Sequence, residues 1–164
     1  MSFVNSRSFT KMLCVLALSA PSFALADTPN CADISGGAPI IYGAGATGPR
    51  DLIGEMAIVL ENGSDPVYVV YQDQGACTGP YYLTGISTPT LTGSANYWDP
   101  TTGAKTACNL DVSGDAVDFA FTDVRAINCS LFGGDASYLE GLVEVTGPIN
   151  PVSVLVPSAS TQPG

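Results

Sequence analysis

The chain contains no histidine. That absence removes Ser-His-Asp and Cys-His catalysis, the H-E-x-x-H zinc site and imidazole proton shuttling together. Cations are nearly as scarce: five Lys and Arg stand against fifteen Asp and Glu in 164 residues, a formal net charge of −10. Arg7 and Lys11 belong to an N-terminal stretch that reads as removable, which leaves three cations, fifteen acids and a net charge of −12. So acidic a surface cannot neutralise many phosphates, which excludes polymeric nucleic acid and anionic membranes as partners. A single small anion is different, because a few local donors can hold it against an unfavourable field. Charge of either sign is sparse, at 12% of residues, while 46% are hydrophobic. With a mean hydropathy of +0.27, the chain is no repelling polyelectrolyte and can bury the core of about one domain. Eighteen Gly and twelve Pro speak against a helical bundle or coiled coil.

Long apolar runs are also missing. The longest, Met12 to Ala20, is too short to span a bilayer. It follows Arg7 and Lys11 and precedes Ala24-Leu25-Ala26, a small-residue cleavage pattern. Residues 1–26 therefore read as a secretory signal peptide, cut before Asp27, with no membrane insertion of the mature chain. The expected destination is the periplasm or the exterior.

Cys14 leaves with the signal, so Cys31, Cys77, Cys108 and Cys129 remain. No C-x-x-C pair occurs among them, which argues against a four-thiolate zinc site. An even number in an exported chain predicts two disulfides, with three connectivities open. The preferred pairing joins Cys77 to Cys108, closing the loop between them, and so Cys31 to Cys129.

Residues 27–37 form a polar leader. Pro39-Ile-Ile-Tyr42 reads as a strand and Gly43 to Gly48 as a tight turn, after which Pro49 suits the first helical position. Leu52, Ile53, Met56, Val59 and Leu60 then recur at helical spacing, opposite Arg50, Asp51, Glu55 and Asn62. Asn62-Gly63 ends that helix, and Val67 to Gln72 is a β-branched and aromatic strand. This β-α-β order implies a parallel sheet covered by helices. The Thr-, Ser- and Gly-rich stretch over 86–114 predicts an ordered excursion pinned by Cys108, since long structureless loops are rare in compact domains. Val117 to Phe121, Leu142 to Val145 and Val152 to Val156 read as further strands.

Gly43-Ala-Gly45-Ala-Thr-Gly48, after a strand and before a helix, matches G-x-G-x-x-G. Glycines let the backbone turn sharply and present N–H groups, and the helix start adds about half a positive charge. Such a turn can hold a pyrophosphate, a lone phosphate, or nothing. Asp73 lies roughly where a dinucleotide site needs its ribose acid, but nicotinamide cofactors are rare outside the cytosol, and no cofactor is expected. Simple anion binding is preferred over a purely structural turn.

Three blocks carry a resemblance. Ile41 to Thr47 with Pro49, Val70-Tyr-Gln72 with Gly75 to Gly79, and Asp118 to Asp123 together resemble the periplasmic phosphate-binding proteins of ABC transporters. The resemblance covers residues 38–124. It implies an α/β fold, one lobe of a type II solute-binding protein, three-layered with a mixed, mostly parallel sheet. It further implies a phosphate or similar oxyanion held by the Thr47 hydroxyl, the N–H groups of Thr47 and Gly48, and the turn around Ala76, with an ABC-type membrane component as a further partner. Asp123 matches the acceptor for a ligand proton, which favours protonated phosphate over sulfate.

This chain departs from that pattern in places. Ala76 stands where the resemblance places a ligand-binding serine, and residues 86–114 have no counterpart. The expected lobe spans 38–164, short of the two lobes such proteins need, so the sequence reads as an N-terminal fragment or a lone lobe. The alternative is an exported structural or adhesive protein that reuses the lobe without a ligand. An enzyme is not expected, because no nucleophile–base pair can be assembled without histidine. Asp111 to Asp115 lacks the residues of a calcium loop. Tyr97-Trp98 reads as a loop anchor rather than a sugar platform, and Arg125 as an ion-pair partner.

Overall fold

The computed structural model describes residues 27–86 and 90–147. The expected signal peptide, the strand over 152–156 and the end of the 38–164 lobe lie outside these residues.

The predicted β-α-β unit is present. Strand β1 (Ile40–Gly45) takes in Gly43 to Gly45, which were expected in the turn, because neighbouring strands pair with them on both sides. Only 46–49 form the turn into helix α1 (Arg50–Glu61), and β2 (Tyr68–Asp73) returns parallel to β1. Helix α2 (Thr78–Thr84) follows and ends at Gly85, whose positive φ of 68° suits glycine. The described part of the excursion, 90–114, carries regular structure. It holds β3 (Thr90–Leu91) and a hairpin of β4 (Ser94–Trp98) and β5 (Lys105–Asn109), followed by β6 (Asp115–Ala116) and β7 (Phe119–Phe121). The main sheet has the order β5-β4-β2-β1-β7, while β3 and β6 pair separately.

The molecule is therefore α/β with a mixed five-stranded sheet. The expectation of a mostly parallel sheet needs correction: β1 pairs in parallel with β2 and β7, but β4 pairs antiparallel with both β2 and β5. The short hairpin forces β5 to run opposite to β4, so two of the four pairings are antiparallel, although β4 alone runs against the direction of the other four strands. The strand expected over 142–145 is also absent. That segment has no regular structure, and Val143 and Val145 are exposed. A β-branched run becomes a strand only where a pleated surface receives it.

Side chains of β2 alternate between two cores. Val70 joins Ala44, Leu91 and Cys108 on one face, while Val69 and Tyr71 join Ile53, Ala57 and Trp98 on the other. Tyr82 of α2 packs on the first core and α1 on the second, giving three layers. Tyr42 N donates to Asp118 Oδ2 at 2.8 Å and Asp118 N to Tyr42 O at 2.8 Å, which staples the approach of β7 to β1.

Helix α1 buries a different face from the one its periodicity marks. Ile53, Gly54, Ala57 and Glu61 point inward, whereas Leu52, Met56, Val59 and Leu60 are all more than a third exposed. Trp98 sets this rotation: its indole, 5% exposed, lies against Gly54, where any Cβ would collide with it. Both residues of the expected Tyr97-Trp98 anchor pack inward, Tyr97 against the first core and Trp98 within the second. The uncovered half of the stripe rims an apolar groove of about 280 Å³ lined by Ile41, Met56, Leu60, Phe119 and Phe121 among others.

Two disulfides form, but not in the preferred pairing. Cys31 joins Cys108 and Cys77 joins Cys129. Strand β5 lies on the outer edge beside the leader, where Asn109 N donates to Pro29 O at 2.8 Å and brings Cys108 to Cys31. Cys77 instead opens α2, which packs beside β1 and β7 and so meets the chain that leaves β7. Closed disulfides suit a chain that matures in an oxidising compartment. Among the described residues no helix is long and apolar enough to cross a membrane.

Among the described residues Glu61 is the one buried acid, 5% exposed, at the carbonyl end of α1. Burial pushes its carboxyl above the usual range and the Asp99 carboxylate adds to this; the Val69 N–H opposes the shift without completing a hydrogen bond. The native state therefore holds this proton more tightly than the unfolded chain. Stability should fall as pH rises from the ordinary glutamate range through the raised native value, then level off. Glu61→Gln should remove that slope and raise stability at pH 7 by about 1 kcal/mol, as measured by urea unfolding across pH. A variant that keeps the slope would assign it elsewhere.

Candidate functional site

The parallel register aligns three strand ends. Gly45 of β1 lies beside Asp73 of β2 and beside Phe121 of β7, so the three following loops start at one level. The chain leaves β1 toward β2 on one side, and β7 lies on the other. The crevice where neighbouring loops diverge, at the carboxyl ends of such strands, is where open α/β sheets bind ligands.

The loops are tied together through Gly45 and Ala46. Gln74 N and Gly75 N both donate to Gly45 O, at 3.1 and 3.0 Å. Ala46 N donates to Phe121 O at 2.9 Å. Gly45 has φ 137°, and a Cβ there would collide with the Phe121 carbonyl. Below them, the fully buried Tyr71 donates its hydroxyl to Ala46 O at 2.7 Å and stacks on Phe119, with ring centroids 6.2 Å apart. Burial raises the Tyr71 phenol far above its ordinary value, and the carboxylates of Asp73 and Asp123 add to it. The phenol is thus a fixed donor. Gly79 serves α2 as Gly45 serves the turn, since a Cβ there would strike the Ala44 carbonyl.

The four expected ligand positions lie on the loops that follow these three strands. Thr47 and Gly48 are exposed on the loop from β1 to α1. Thr47 O accepts from Arg50 N at 3.2 Å, while within the described residues no hydrogen bond engages the Thr47 hydroxyl or the Thr47 and Gly48 amides. Asp123 is exposed on the loop after β7, within electrostatic reach of Tyr71. Ala76 lies one loop further along, after β2, immediately before the Cys77–Cys129 bridge.

Asp73 is already occupied. Its Oδ2 accepts from Arg50 Nη1 at 3.1 Å and its Oδ1 from Asn96 Nδ2 at 3.3 Å. This arrangement argues against the ribose role of a dinucleotide site. Arg125, expected to pair with carboxylates, does not do so: the ion pairs among the described residues are those of Arg50 with Asp51 and Asp73. Sequence reading missed Tyr71 and Gly45 as supports of the turn. The Gly-Ala-Gly spacing marked Gly45 as a turn residue, but nothing in the sequence pairs Tyr71 with Ala46, 25 residues away. No family model matches this chain, and no curated protein or solved structure matches it.

Two substitutions test this support. Tyr71→Phe keeps the stack on Phe119 but leaves the Ala46 carbonyl without its buried donor, and should cost about 1–2 kcal/mol. Gly45→Ala combines a left-handed φ with a backbone clash and should cost on the order of 3 kcal/mol or more. Urea unfolding measures both, and equal small effects would show that the turn is supported from elsewhere.

Proposed function

We propose that this chain is a lobe of an exported solute-binding protein of the periplasm or exterior, holding phosphate or a similar oxyanion for ABC-type uptake. The observation that supports the reading is the set of unengaged donors at the start of α1: the exposed Thr47 with its hydroxyl and amide, and the Gly48 amide, on the loop after β1, with the exposed Asp123 on the loop after the neighbouring β7. The 12-residue helix behind them adds the partial positive charge of its N-terminus. Asp123 accepts a proton from the ligand, so protonated phosphate fits better than sulfate, which would face the carboxylate with nothing to donate. Ala76 offers no hydroxyl, and Arg50, the cation that starts α1, is committed to Asp73. The ligand is therefore held by hydrogen bonds more than by countercharge.

One lobe surrounds only part of such an anion, which stays partly wet, so affinity of this chain alone should be weak, with Kd about 1 mM. Titration with inorganic phosphate, followed by amide NMR shifts, should move Thr47 and Gly48 first. Thr47→Val should weaken binding by roughly tenfold, the value of one hydrogen bond to a charged group. Asp123→Asn should bring sulfate affinity up toward that for phosphate. If the Thr47 and Gly48 amides stay still, or Thr47→Val binds as well as the parent, the anion reading fails. The structural or adhesive alternative, to which the exposed apolar stripe of α1 lends itself, then takes its place.

A further inference from the structure

The two disulfides sit in unlike surroundings. Cys31 and Cys108 are 1% and 0% exposed within the core formed with Leu91, Ala95 and Leu110. Cys129 is equally buried, but Cys77 is partly exposed, and neither belongs to a main core. Their bridge lies in a satellite cluster. Phe132 packs edge-on against Tyr81 of α2 at 5.3 Å and stacks on Tyr138 at 5.7 Å, while Leu131 N donates to the Tyr81 hydroxyl at 3.1 Å. Downstream of β7 the described residues, to 147, hold only short 3-10 turns, Ala126–Asn128, Ser130–Phe132 and Ala136–Leu139. Among the described residues its hydrogen-bonded, aromatic and covalent links to α2 are the bridge itself and the contacts of Tyr81.

We propose that Cys77–Cys129 is a reducible latch that holds the segment after β7 against α2, whereas Cys31–Cys108 is a permanent structural bond. Thiol–disulfide exchange requires a thiolate to reach one sulfur, so access decides which bond reacts. A dithiol reductant reaches Cys77. Its thiolate forms a mixed disulfide there, and the Cys77–Cys129 bond breaks with its electron pair on Cys129 Sγ, which takes a proton. The reductant's second thiol then displaces Cys77, which also takes a proton, and the reductant leaves as its cyclic disulfide. Two electrons and two protons pass to the protein. The opened segment keeps its link to β7, but the loop carrying Asp123 loses its downstream anchor. This inference goes beyond the anion reading and does not rest on it.

The test treats the oxidised, folded protein with increasing dithiothreitol at neutral pH without denaturant, then alkylates and maps the peptides. Cys77 and Cys129 should label roughly tenfold faster or more than Cys31 and Cys108. The half-reduced protein should keep its far-ultraviolet circular dichroism and the emission of its single tryptophan, Trp98, while new protease cuts appear within 122–147. Equal labelling of all four cysteines, unfolding at the first reduction, or an unchanged cleavage pattern would each overturn the latch. The double variant Cys77→Ser, Cys129→Ser gives a second arm. It should fold, hold the Cys31–Cys108 bond and show the same new cuts; failure to fold would make the bridge part of the core and end the proposal.

Discussion

The arrangement depends on one missing atom, the Cβ that Gly45 does not have. Strand β1 lies between β2 and β7, and its last residue must let the Phe121 carbonyl approach from one side while its own carbonyl takes two N–H groups from the other. A side chain at Gly45 would push β7 away, and Ala46 could no longer donate to Phe121. The three loops would then leave the sheet at different levels, with no crevice between them. A residue without chemistry of its own thereby sets the level at which the loops carrying Thr47 and Asp123 leave the sheet.

The strand–turn–helix–strand unit was legible because local signals agree there: β-branched runs, a glycine turn, Pro49 at a helix start and a 3.6-residue apolar repeat. The orientation of α1 was not. Periodicity reports which side of a helix is apolar, but the half that is covered depends on what lies opposite, and Trp98 arrives from a hairpin 44 residues after Gly54. The disulfide pairing failed for a similar reason. Loop length changes the entropy of closure only slowly, so it gives little preference among pairings. The sheet order decides, and that order is non-local.

The candidate site was legible as positions and not as a structure. The glycine turn named Thr47 and Gly48, and the acid ending a strand named Asp123. What holds them in register is Tyr71 beneath Ala46, a hydrogen bond across 25 residues of sequence. Asp73 shows the converse. By spacing it is a candidate ligand residue, yet its carboxylate is spent on Arg50 and Asn96. Whether an acid is free or committed is a property of neighbours, which one chain read in order does not display.

The placement of β7 also bears on how the chain assembles. Strands β1 and β2 meet through one helix, but β7 joins β1 only after the whole hairpin excursion has been made, with 76 residues separating Tyr42 from Asp118. Contacts so far apart along the chain are slow to form, because closure entropy is lost before the pairing rewards it. On a ribosome, β1 emerges long before its edge partner. Through that interval Ile41 and Tyr71 lack the phenylalanines that will cover them, and the open edge of β1 can pair with any other strand that reaches it. Synthesis in this order favours a chain kept extended until Phe121 has been delivered.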